Sequence, residues 1–110
     1  MANEVTVNKA KGTLNSANGL ETIATITAGK RALYVWGSFC NQGGAASRQL
    51  HLKIDGVFIT KGDATNNVLK TGQTMFFAAH VHVASGITIQ AQITAGADVD
   101  YYIFWAEAPN

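Results

Sequence analysis

Apolar and polar residues exchange places at every second position along most of this chain, and Gly, Asn and Asp interrupt the alternation. A period of two is the mark of a strand, whose side chains point to opposite faces in turn. No segment sustains a helical spacing. The pattern predicts an all-β chain with strands at residues 3–8, 21–27, 31–41, 48–54, 57–60, 73–84, 86–94 and 99–107, lettered A to H. Asp55-Gly56 is a tight hairpin signal between D and E. Ser85-Gly86 turns F into G, Ala95-Gly96-Ala97-Asp98 turns G into H, and Ala28-Gly29-Lys30 separates B from C. Residues 41–47 are small and read as a flexible loop. Residues 61–72 join E to F and carry Val68 and Leu69, expected to tuck against the body. Residues 9–19 are polar and read as an extended arm or loose connection, so residues 1–19 are expected to hold an amino-terminal arm and the first strand.

The strands differ in how many apolar faces they have. In G, Thr88, Gln90 and Gln92 alternate with isoleucines and Ala91; in D, Gln49, His51 and Lys53 alternate with Leu50, Leu52 and Ile54. Both read as strands with one wet face. C and H are apolar on both sides. Leu33, Val35 and Phe39 take one face of C, and Tyr34, Trp36 and Cys40 the other. In H, Tyr101, Ile103 and Trp105 oppose Tyr102, Phe104 and Ala106. F is mixed, with Phe77, Ala79, Val81 and Val83 against Phe76, Ala78, His80 and His82. Eight strands in this length predict a two-sheet jelly-roll sandwich, with sheets A-H-C-F and B-G-D-E. The two-sided strands then fall in one sheet and the clean alternators in the other. A second apolar face also needs cover, and we read it as a subunit interface.

Composition agrees. At 110 residues the chain is expected to form one domain, residues 1–110, large enough to bury a core without metals or disulfides. Charged residues make up 14% of it, against about 25% in an ordinary soluble domain. The net charge of +1 comes with no dense Lys/Arg cluster, so no nucleic-acid partner is expected. One cysteine excludes an internal disulfide framework. No apolar run reaches the roughly 20 residues that span a bilayer, and the first residues lack a secretory pattern. No membrane partner is expected, and assembly in a cytoplasm is.

The sheet partition, with Tyr34, Trp36, Phe76, Tyr102 and Phe104 pointing outward from C, F and H, resembles the tumour-necrosis-factor-like jelly rolls and the globular heads of collagen-tailed complement proteins. The resemblance covers roughly residues 20–107. It implies that the A-H-C-F sheet packs around a three-fold axis, so these five residues, with His80 and His82, are the expected homotrimer interface. The richness in Asn, Thr, Ala and Gly and the small size are also similar to bacteriophage virion proteins. That likeness implies a structural role in a virion, assembled in the host cytoplasm. A capsid decoration (cement) protein bound to a major capsid protein or other virion subunits is the first expectation. A tail-fibre or spike tip, or a carbohydrate- or receptor-binding module, is the second. Five aromatic side chains on one face would exceed the few hundred Å² of apolar patch that monomers expose. The simpler alternative is a monomer whose A–B arm or E–F loop folds over that face.

Candidate chemistry is sparse. His80-Val81-His82 puts two imidazoles on one face, and at a three-fold axis six would converge, as for a divalent transition ion. Trimeric phage fibre tips with His-x-His look similar, but two ordinary polar histidines is the preferred reading and no metal is expected. His51 belongs to the other sheet. Ser38, Ser47 and Ser85 lack a sequence-evident base, so no catalytic residue is assigned and the chain reads as no enzyme. Cys40 reads as a small buried apolar residue rather than a reactive thiol. Asp98 and Asp100 read as turn-capping acids rather than calcium ligands. Trp36, Trp105, Asn41 and Gln42 are the materials of a sugar site, yet the two tryptophans sit mid-strand, where packing is the better account. No cofactor is expected.

Overall fold

The apolar half of each alternation turns inward, and two antiparallel sheets close over it. The computed structural model describes residues 4–43, 46–63 and 68–109, apart from the side chains of His82 and Val83. Its strands are β1 (Thr6–Leu14), β2 (Glu21–Thr25), β3 (Lys30–Asn41), β4 (Arg48–Ile54), β5 (Val57–Lys61), β6 (Val68–Leu69), β7 (Thr74–Val83), β8 (Thr88–Ile93) and β9 (Val99–Pro109). One sheet has the order β1-β9-β3-β7 and the other β2-β8-β4-β5, with β6 also pairing to β4. With β6 set aside, these are the A-H-C-F and B-G-D-E sheets of the predicted jelly roll. The additional strand is the Val68–Leu69 pair, tucked in as expected, with Leu69 1% exposed.

The core is made of the inward positions of both sheets. Val35, Phe39, Val99 and Ile103 come from one, Leu50, Leu52, Ile89 and Ile93 from the other, and all are fully buried. Asp55 (φ 54) and Gly56 (φ 72) both lie in the left-handed region, which is the type I′ geometry a two-residue hairpin requires. Gly37 lies opposite Ile103 where β3 pairs with β9, and any Cβ there would run into the Tyr102 carbonyl oxygen. The two strands can lie this close only because the position has no side chain.

Four expectations need correction. The first strand begins at Thr6, not residue 3, and runs on to Leu14, so residues 9–14 are an edge strand rather than an arm; a 3-10 turn, Ser16–Asn18, follows. Nine residues of β1 pair antiparallel with β9, from Thr6 opposite Glu107 to Leu14 opposite Val99. Leu33 does not share a face with Val35. The register of β3 breaks between Ala32 and Tyr34, and this extra residue reverses the parity of the strand. Ala32 and Val35 therefore both face the core, and Leu33 is only half-buried. Residues 41–47 are anchored rather than loose at their described positions. Asn41 is fully buried, donates from Nδ2 to the carbonyls of Ala46 and Leu69 (both 2.9 Å), and accepts from the Gly43 N–H at 3.0 Å. Gly44 and Ala45 lie outside the described residues. Cys40 is half-buried on the outward side of β3, because the inward positions of that stretch are Phe39's and Asn41's parity.

Candidate functional site

The outward face of the β1-β9-β3-β7 sheet can be read as rows from the strand register. One row runs Val7, Ala106, Tyr34, His80; the next Lys9, Phe104, Trp36, Ala78; the next Lys11, Tyr102, Ser38, Phe76; the last Thr13, Asp100, Cys40, Thr74. The five outward aromatics expected of strands C, F and H therefore share one surface. Period two puts them there, and the pairing of β3 with both β7 and β9 brings them together.

Four of the rings touch in sequence. Tyr102 stacks on Phe104 (centroids 4.8 Å, 18° between planes), Phe104 stacks on Trp36 (5.6 Å, 14°), and Trp36 meets Tyr34 at 5.7 Å and 54°. The His80 ring follows at 6.0 Å from Tyr34. Offset and tilted geometries of this kind are the favourable ones for aromatic pairs. Beside the ladder lies an open dish of about 600 Å³, lined by Tyr34, Trp36, Phe104 and Phe76 with Gly37, Ser38, Phe77 and Ala78. Its described walls come from β3, β7 and β9 alone. Phe76 stands 78% exposed at its margin, the highest value among the exposed large apolar residues. The described parts of the two segments weighed as covers lie elsewhere: β1 is hydrogen-bonded in plane beside β9, and β6 is paired to β4 of the opposite sheet.

Polar clasps close the two ends of the sandwich behind this face. At one end Glu107, 3% exposed, points inward from β9 and each carboxylate oxygen accepts two bonds. Oε1 takes Asn8 Nδ2 (2.6 Å) and Thr27 Oγ1 (2.9 Å); Oε2 takes the Thr27 N–H (2.8 Å) and Trp105 Nε1 (3.0 Å). Burial pushes this carboxyl up, but the bonds from Thr27, Trp105 and Asn8 outweigh it, and the net position is below the ordinary value. At the other end Arg48 Nε and Nη2 donate to the two Asp98 oxygens at 2.8 and 2.9 Å, a bidentate pair that holds Asp98 below its usual range. A Cβ at Gly43 would strike the Asp98 carboxylate and one at Gly96 the Arg48 guanidinium, so a side chain at either position would displace a member of the pair, and Gly96 also has a φ of 80° that favours glycine.

The outward face of the β2-β8-β4-β5 sheet has a different character. Its register gives the rows Thr22, Gln90, Lys53, Phe58 and Gln92, His51, Lys61. Lys53 Nζ lies 4.5 Å and Lys61 Nζ 5.1 Å from the Phe58 ring centre, and the His51 ring 6.0 Å away. Burial and the two lysine charges move His51 below its ordinary pKa.

The expected site residues thus separate. Tyr34, Trp36, Phe76, Tyr102, Phe104 and His80 share the aromatic surface; the side chain of His82 lies outside the described residues. Among the described residues no group of three or more His, Cys, Asp or Glu could hold a metal ion. Asp98 is paired with Arg48, and Asp100 Oδ1 accepts from Thr13 Oγ1 at 2.5 Å, rather than only capping a turn. Of the sugar-site candidates, Trp105 and Asn41 are buried and hydrogen-bonded inside the protein. The structural roles of Glu107 and Asn41 escaped notice in the sequence. Parity held the signal: Glu107 is in step with Ile103 and Trp105, and Asn41 with Phe39, so each is a polar residue at an inward position.

No protein-family model and no curated protein matches the chain by sequence. Solved structures share its fold. A chain of the acid-stable capsid of Helicobacter pylori bacteriophage KHP30 superposes with TM-score 0.60 at 13% identity, covering 98% of this chain and 90% of that one. A protein of the disulfide-linked pili that form Bacillus endospore appendages gives 0.59 at 16%, covering 99% and 91%. A chain of the cyanophage Pam1 capsid gives 0.56 at 12%, covering 100% and 88%. The chain therefore has a jelly-roll sandwich of a kind found in phage capsid and pilus subunits.

Proposed function

We propose that this chain is a non-enzymatic structural subunit of a bacteriophage-type virion, a homotrimeric decoration (cement) protein that adds contact area to a capsid. The observation that carries the proposal is the aromatic ladder from Tyr102 to Tyr34 with its open dish and projecting Phe76. Fully burying an aromatic side chain contributes on the order of 1.5–3 kcal/mol, and a ladder of them on one outward face has no use in an isolated sandwich. The trimer interface comprises Tyr34, Trp36, Phe76, His80, His82, Tyr102 and Phe104, and the lattice partner is a major capsid protein or another virion subunit. The fold shared with phage capsid chains over nearly the whole length supports a virion role. The sugar-binding alternative loses support because Trp105 and Asn41 face the interior. The likeness to the pilus protein favours a filament subunit as the second reading.

Light scattering at micromolar concentration tests both. A mass near three chains is expected, together with co-sedimentation with capsids that lack the protein. Open-ended polymers would favour the filament, and a clean monomer would remove the interface.

A further inference from the structure

The edge strand β1 has little to hold it by. Its inward positions are Asn8, Ala10, Gly12 and Leu14, and of these Leu14 alone is fully buried. Thr6, Val7, Lys9 and Lys11 are exposed. Beyond its backbone pairing with β9, the strand is pinned at two unlike ends. At the Leu14 end the hold is apolar burial, helped by the Asn15 N–H, which donates to Glu21 Oε2 at 2.8 Å, and by Thr13 Oγ1, which donates to Asp100. At the Thr6 end the described side-chain hold is one bond, from Asn8 Nδ2 to Glu107 Oε1 at 2.6 Å. Segments with few buried apolar contacts are the ones that open locally.

That bond ends on a titratable group. Glu107 Oε2 faces the Thr27 N–H and Trp105 Nε1, two fixed donors, so it must remain an acceptor. A proton can settle only on Oε1, where the Thr27 hydroxyl can turn and accept it. Asn8 then meets a neutral hydroxyl instead of a carboxylate oxygen, and a bond to a charged group is roughly twice as strong as a neutral one. The groups facing Glu107 are an amide, a hydroxyl, an indole and a backbone N–H, with no charged side chain bonded to it among the described residues. On β3, Lys30 and Arg31 lie opposite Pro109 and Ala108, and Arg31 Nε donates to the Pro109 carbonyl. Lys9 points to the outward side of β1, and the acids Asp100 and Glu21 belong to the Leu14 end. We infer that Glu107 is an acid-sensitive latch: protonation slackens its hold on Asn8, and the Thr6–Ala10 half of β1 opens from β9 while the Leu14 end stays in place. Opening uncovers the edge of β9 from Ile103 to Glu107, a row of backbone groups available to another strand. The bonded carboxyl lies below its ordinary value, so the latch is closed above the ordinary carboxylate range and opens as pH falls through the folded value.

The test is amide hydrogen exchange on the full chain at about pH 7 and about pH 4, with protection corrected for the intrinsic rate at each pH. In the unaltered protein the amides of residues 6–10 should lose about fivefold in protection on acidification, the order expected when a charged bond becomes a neutral one. Those of β5, an edge strand remote from the latch, should hold theirs. Glu107→Gln should show the loss already at neutral pH and little further change in acid. Asn8→Ala removes the tie from the other side and keeps the carboxylate. It should loosen residues 6–10 at neutral pH and leave the Thr27 amide protected, which keeps the test open if Glu107→Gln folds poorly. Equal loss in β5 would mean general unfolding and overturn the latch. So would residues 6–10 that ignore pH, or an acid response that survives undiminished in Glu107→Gln.

Discussion

The two outward surfaces of this sandwich are built from the same alternation and end up with opposite characters. On the β2-β8-β4-β5 sheet the outward positions are Thr22, Gln90, Gln92, His51 and Lys53, and its Phe58 ring is shielded by two lysine side chains. On the β1-β9-β3-β7 sheet they are Tyr34, Trp36, Tyr102, Phe104 and Phe76, with rings stacked on rings. The inward faces differ as well: the β1-β9-β3-β7 sheet adds Phe39, Phe77, Tyr101 and Trp105 to its aliphatic residues, and the β2-β8-β4-β5 sheet packs aliphatic residues against them. On the outside, the face proposed to meet protein and the one left to water differ in what covers their rings. There a lysine stem can cover an apolar ring while its charge stays hydrated, and a stacked ladder has no such cover.

The contrast can be broken by charge. Trp36→Asp, at the middle of the ladder, is expected to abolish the proposed three-chain mass across the micromolar range, a loss of at least about 2 kcal/mol per contact. Compared at concentrations where the parent is also dissociated, thermal unfolding should shift little, because Trp36 points away from the core. Glu107→Ala should do the reverse, keeping the mass and costing about 3 kcal/mol of stability, since a buried donor left without an acceptor costs roughly 1–3 kcal/mol and four donors converge there. The clasp is also pH-dependent. The Glu107 carboxyl sits lower in the folded than in the unfolded chain, so its contribution is present above the ordinary carboxylate range and lost as pH falls through the folded value. Melting followed between about pH 6 and pH 3 should show a fall that is smaller in Glu107→Gln. Gly37→Ala forces β3 away from Tyr102 and is expected to cost about 1–3 kcal/mol, the range for overpacking. The smallest effect belongs to the polar surface. Gln92→Glu should change stability by less than about 0.5 kcal/mol and leave the mass unaltered, and a change of mass there would erase the distinction between the two faces.

Much of this was legible from side-chain parity. Isoleucine alternating with Gln and Thr in β8, and the runs apolar on both sides in β3 and β9, sorted the strands into the two sheets actually formed. The aromatic surface followed from the same parity. β1 was illegible past residue 8 for a physical reason. It is an edge strand whose inward positions after Asn8 are Ala10 and Gly12, too small to register as hydrophobic, while its outward ones are Lys9 and Lys11. The bulge at Leu33 left no trace, because an extra apolar residue in an apolar run does not disturb the pattern. Glu107 and Asn41 were hidden for the opposite reason: they look like ordinary strand-end polar residues until their partners come alongside, the Thr27 and Asn8 donors of Glu107 from 80 and 99 positions away and the Leu69 carbonyl that accepts from Asn41 from 28.

β1 and β9 lie side by side and antiparallel, with Thr6 opposite Glu107. Polypeptide entering the first strand and polypeptide leaving the last consequently share one end of the sandwich. A peptide joined ahead of Thr6 or after Pro109 would be carried at the Glu107 end, away from the Arg48–Asp98 end.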